Sequence, residues 1–156
     1  MQIRVTPGQK RELERCARAA GLDLSSWMLG RLIPPRRESF AKLVRALASQ
    51  RDSSYVLAEL GDLLSSLDRA ELGSVVDTLP AAHLDELAAN QLAAMVETVA
   101  TKKGIRPPSW TNDIEPLRTP WFPTTLLSLR LHLLCNSPPA FRRRNLFVDS
   151  TLEHRV

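Results

Sequence analysis

Cysteine is scarce in this chain. Only Cys16 and Cys135 occur among 156 residues, and neither has a short spacing to the other or to His83, His132 or His154. That scatter argues against a disulfide framework or a metal-ligand set, and it suits a reducing, cytoplasmic setting. Long apolar runs are also missing: no stretch approaches the roughly 18 residues that span a membrane, and the start has no signal-peptide core. The six glycines form no phosphate-cradling loop. Asp62, Asp85 and Glu86 sit on polar helical faces with no nucleophile pattern beside them. Catalysis, a cofactor and a metal are therefore not expected.

What the chain does have is charge in blocks. Residues 1–37 hold eight Lys/Arg against three acids, residues 38–99 hold four against ten, and residues 100–156 hold nine against four. The overall balance of +4 is thus a basic head, an acidic middle and a basic tail. A basic head points to an anionic partner.

Hydrophobic spacing predicts a mostly α chain. Thr6-Pro7-Gly8-Gln9 reads as a helix start, with Thr6 as cap and Gln9 completing a capping box. The first helix should run over residues 7–20, with Leu13, Cys16, Ala17 and Ala20 on one face, and Gly21 should stop it. A second helix capped by Ser25 ends at Pro34-Pro35. Residues 34–38 form a linker. Residues 39–104 contain four amphipathic segments joined by short turns, which predicts a bundle. Residues 105–156 change in texture. "GIRPPSWTNDIEPLRTPWFP" holds five prolines, two tryptophans and a phenylalanine, which predicts an extended segment. A terminal helix capped by Thr124 or Thr125 follows, then a basic tail.

The first residues, "MQIRVTP", alternate polar and apolar like a strand. A module of 33 residues is too small to bury a core alone, so it should dimerise, pairing its strand with that of a second copy. Gln2, Arg4 and Thr6 would then share one face. A two-stranded ribbon fits the major groove, where these side chains can bond base edges. Ser25 and Ser26 at a helix start, with Lys10 and Arg31, are candidates for phosphate contacts.

The stretch "MQIRVTPGQKRELERCARAAGLDLSSWMLGRLI" resembles ribbon-helix-helix DNA-binding domains of the MetJ/Arc type. It departs from their pattern at Ser26, where an acid is common. The resemblance implies an intertwined homodimer that binds operator DNA through residues 1–33. Such proteins with an added C-terminal region are often antitoxins, which repress their own operon and cover a toxin. The stretch "NQLAAMVETVATKKGIRPPSWTNDIEPLRTPWFP" with "SLRLHLLCNSPPAFRRRNLFVDSTLEHRV" is similar to small bacterial partners of nucleotidyltransferase-like toxins. The implied function is an autorepressing antitoxin. The alternatives are a stand-alone repressor whose helical domain binds a ligand or oligomerises, and an interaction protein whose head only dimerises. Aromatics and Arg are common interface anchors, so Trp110, Trp121, Phe122, Arg142, Arg143 and Arg144 are the candidate toxin contacts; the alternatives are that Trp110 and Trp121 fold back over the bundle as core and that the triple Arg contacts DNA flanking the operator.

Overall fold

The computed structural model describes residues 6–19, 21, 23–25, 27, 28, 36–49 and 53–149. The chain divides into two compact units, Met1–Pro35 and Arg36–Val156.

In the first unit, helix α1 spans Pro7–Ala19. Its start is held by the Thr6/Gln9 box. The Gln9 N–H donates to Thr6 Oγ1 at 3.3 Å, and the Thr6 N–H donates to Gln9 Oε1 at 3.0 Å. Gly21, at φ +69°, takes the left-handed turn beyond the helix, and its N–H reaches Arg18 O at 3.1 Å. Any residue with a Cβ is strained in that conformation. Ala17 is buried, while Leu13 and Cys16 are half-buried.

The expected fold class needs correction. Among the described residues there is no β-strand, so the architecture is mostly α without the strand of a ribbon-helix-helix. The expected strand over residues 1–5, with Gln2 and Arg4, lies outside the described residues. So do Ser26 and Arg31. The extended Pro/Trp-rich segment is also corrected: Ser109–Asp113 coil into a 3-10 helix. Pro108 supplies an extended entry, and its carbonyl accepts from the Thr111 N–H and hydroxyl.

The second unit is built from α2 (Arg36–Ser49), α3 (Ser54–Ser66), α4 (Arg69–Val75), α5 (Glu86–Lys102), the 3-10 turn, α6 (Leu127–Asn136) and α7 (Pro139–Arg142). Helix α2 begins at Arg36, inside the expected linker. Helix α4 starts with a reciprocal box: the Glu71 N–H donates to Asp68 Oδ1 at 2.7 Å, and the Asp68 N–H donates to Glu71 Oε2 at 3.1 Å. Helix α5 is capped by Asp85, whose Oδ1 accepts from the Ala88 N–H at 2.7 Å. Its burial is nearly continuous from Ala88 to Ala100. The alanines at 88, 93, 94 and 100 let neighbouring backbones approach from several sides.

Helix α2 packs on α3 and α4, α3 packs on α5, and α5 carries the 3-10 turn and α7. Phe40, Val44, Leu60, Leu64, Leu72, Leu92 and Val96 fill the main core. Ala94, Leu117 and Leu146 form a smaller one on the other side of α5, with Trp121 and Phe141 packed against it. The C-terminal segment is thus part of the folded unit.

Candidate functional site

The basic tail divides residue by residue. Arg144 is only 5% exposed. Its guanidinium donates to Glu97 Oε1, to Asn90 Oδ1 at 3.2 Å, and to the carbonyls of Ile114 (3.1 Å) and Thr111. Four acceptors converge on one planar cation, the use to which the fork of donors in arginine is best suited. Asn90 is fully buried, and its amide donates to Glu86 O at 2.9 Å and Glu115 O at 3.0 Å. Arg143 lies outside this nest. Its side chain is 71% exposed, and it meets Glu97 Oε2 at 3.3 Å. Arg142 is exposed as well.

The turn holding Arg144 is fixed by its neighbour. Asn145 adopts φ 57°, a left-handed conformation that asparagine tolerates better than most residues. Its amide donates to Leu117 O at 2.6 Å. Beyond it, Trp121 and Leu146 form a parallel bridge: the Trp121 N–H donates to Asn145 O (2.8 Å), and the Phe147 N–H donates to Trp121 O (3.0 Å).

The aromatic candidates face inward to different degrees. Trp110 is buried in the main core, with Nε1 donating to Val76 O at 2.8 Å. Trp121 and Phe122 are half-buried. Phe122 stacks on Phe147 with ring centroids 5.0 Å apart, and the Arg130 guanidinium lies 5.2 Å from the Phe122 centroid. Of the six candidate contacts, Trp110 and Arg144 are therefore internal fasteners. The surface retains Arg142, Arg143 and the partly covered pair Trp121 and Phe122.

The open apolar surface lies on α6 instead. Leu133 anchors this helix at 2% exposure, whereas Leu127 is 75% and Leu131 67% exposed, and Leu134 follows at i+7 from Leu127. Leu126 and Leu129 are exposed too. The segment "TTLLSLRLHLL" already carries two apolar stripes, Leu127, Leu131 and Leu134 apart from Leu129 and Leu133, and the second stripe is the signal through which sequence reasoning could have found this face.

The N-terminal candidates that are described stand on or near α1. Thr6 is exposed, with its hydroxyl used in the capping box. Lys10 is exposed, 3.9 Å from Glu14. Arg15 and Arg18 project outward beside Glu12 and Glu14. Ser25 is exposed in a short helical stretch.

Among the described residues no group of three or more His, Cys, Asp or Glu could hold a metal, and no helix is long and apolar enough to cross a membrane. Comparison with protein-family models, with characterised proteins and with solved structures finds no match to this chain.

Proposed function

We propose that the protein is an antitoxin-type regulator, contacting operator DNA with its basic N-terminal unit and a cognate toxin with its C-terminal unit. The observation that carries the reading is α6. An apolar helix face is ordinarily buried against another surface, yet among the described residues only the Leu133 side of α6 is covered. Leu127, Leu131 and Leu134 stand one helical turn apart as i, i+4 and i+7 anchors, the spacing with which a helix seats in a partner's groove. Arg130, Arg142 and Arg143 belong to the same basic segment and favour a partner surface with acidic character around an apolar centre. The DNA arm is supported by the resemblance of residues 1–33 to DNA-binding domains and by the cations of α1. A nucleotidyltransferase-like toxin is the partner class that the resemblance of the later segment favours.

Co-expression with the product of the neighbouring gene tests the partner arm. Wild type should rescue growth and co-purify with that product. The outward double variant Leu127→Lys/Leu131→Lys should do neither, while still shifting the upstream DNA in a gel. Rescue undiminished by the double variant would remove α6 as the partner face. Absence of a shift by wild type at moderate salt would remove the DNA arm.

A further inference from the structure

The second unit also contains an open cleft of about 740 Å³ between α3, α5 and the C-terminal segment. Its volume falls within the roughly 300–1,000 Å³ of small-molecule sites, and such sites are mostly apolar with a few placed polar groups. Leu57, Leu87, Met95, Val99 and Phe141 supply the apolar lining, and Trp121 and Pro123 form part of the wall. None of the outward leucines of α6 lines it, so the cleft is a separate surface from the proposed toxin face.

Two polar side chains in this lining have unspent bonding capacity. Gln91 is 8% exposed and lines the cleft, yet its amide has no hydrogen-bond partner among the described residues. Its polar atoms open to the cleft rather than being sealed from it, since Arg144 Nε is the buried side-chain atom without a partner among the described residues, so the amide can bond a group that enters. Lys103 caps the C-terminal end of α5. Its Nζ donates to Ser65 O at 3.1 Å and Leu67 O at 2.5 Å. An ammonium has three donors, so one remains, and among the described residues no carboxylate lies within ion-pair distance. The carbonyls fix this cation in place without a described carboxylate to neutralise it. The acid in the lining, Asp149, sits 3.8 Å from His132.

The spacing between these groups defines a ligand shape. Gln91 lies eleven residues before the helix ends at Lys102, on the order of 16 Å at 1.5 Å per residue, and Lys103 follows just beyond. We infer that the cleft binds an elongated single-chain amphiphile, its carboxylate on Lys103, its apolar body along Leu57, Met95 and Val99, and a terminal hydrogen-bonding group on the Gln91 amide. A hydroxyl satisfies that amide in either direction, since it both donates and accepts. The inference goes beyond the antitoxin reading and does not depend on it.

Calorimetry on the full-length protein, with 12-hydroxydodecanoate, dodecanoate and 1-dodecanol below their aggregation concentrations, tests it. The hydroxy acid should bind most tightly, dodecanoate more weakly and the alcohol weakest. Lys103→Met should weaken both acids roughly tenfold, the loss of one charge-assisted bond, and Lys103→Arg should retain most of the affinity. Gln91→Leu should abolish the advantage of the hydroxy acid over dodecanoate. Ala58→Trp, at an exposed position in the lining, should block all three by filling the cleft without disturbing the core. The absence of saturable binding by every probe overturns the inference, as does binding that Ala58→Trp leaves intact. Equal affinity for the hydroxy acid and dodecanoate in wild type overturns the role of Gln91.

Discussion

Arg144 and Glu97, 47 residues apart in the chain, form a buried ion pair that fastens the C-terminal segment to α5. Both side chains are 6% exposed. Removing Arg144 leaves the buried Glu97 with only the exposed Arg143 as counter-charge, and breaking a buried pair typically costs about 3–5 kcal/mol. Arg144→Met should therefore lower unfolding stability in urea by that amount. The double variant Arg144→Met/Glu97→Leu should recover a large part of the loss, because no lone charge then remains. A single-variant loss below about 1 kcal/mol, at the low end of ordinary mutational effects, would show that the pair is solvated in solution.

Trp110 makes a narrower prediction. Trp110→Phe keeps an aromatic ring in the core but strips Val76 O of its donor. The expected cost is about 1–3 kcal/mol for the orphaned carbonyl. Trp110→Ala should cost more, about 3–5 kcal/mol. If the two variants lose equally in denaturant titrations, the indole N–H bond contributes nothing separable from packing.

The helices of the second unit were largely legible because their apolar spacing is regular, whereas the Asp68–Glu71 capping box emerged only from the structure. The role of Arg144 was not. "FRRRN" reads as three equivalent surface cations, and only the tertiary fold turns the third one inward. Its acceptors come from α5 and from the carbonyls of a segment 30 residues away, a pairing that no local pattern encodes. The polar residues Asn90, Gln91 and Glu97 within an alanine-rich helix were the available hint, since polar groups on an otherwise apolar helix need specific partners. The Pro/Trp segment was misread for a related reason. Proline removes backbone donors, but Pro108 also supplies a carbonyl to Thr111, which allows a tight 3-10 turn.

The two faces of α6 should respond in opposite ways. Leu133→Ala should destabilise by about 2–5 kcal/mol, as buried leucine truncations do. Leu131→Lys should change stability by no more than about 0.5 kcal/mol, typical of an exposed position, and should raise solubility by breaking the apolar stripe. Thermal melts of the two variants separate these outcomes. A large loss for Leu131→Lys would mean that the outward face is already covered in solution.

Tyr55 is the single tyrosine of the chain, so absorbance near 295 nm reports its titration directly. Its pKa is raised above the ordinary 10.0 by a hydrogen bond to Glu59 and by that carboxylate's negative charge. The sign follows from the raised value in the folded state. The stabilisation is fully present below the ordinary tyrosine range, and it fades as pH climbs through the folded-state pKa. Glu59→Gln should move the titration back toward that of an unperturbed phenol. An unchanged curve would show that the i, i+4 contact does not persist.

The Trp121–Leu146 bridge and the Arg144 nest both join residues far apart in the sequence, and this bears on the order of events during synthesis. A ribosome releases the acidic α5 long before it releases the arginine that neutralises Glu97. Until then, Asn90 lacks its guanidinium donor and the smaller core lacks Leu146. The second unit should therefore reach its final form only after Phe147 has left the ribosome, although the parts of a chain commonly settle as they are made. A nascent chain stalled before Arg144 should be readily cut by protease, and one extended past Phe147 on a linker should resist it.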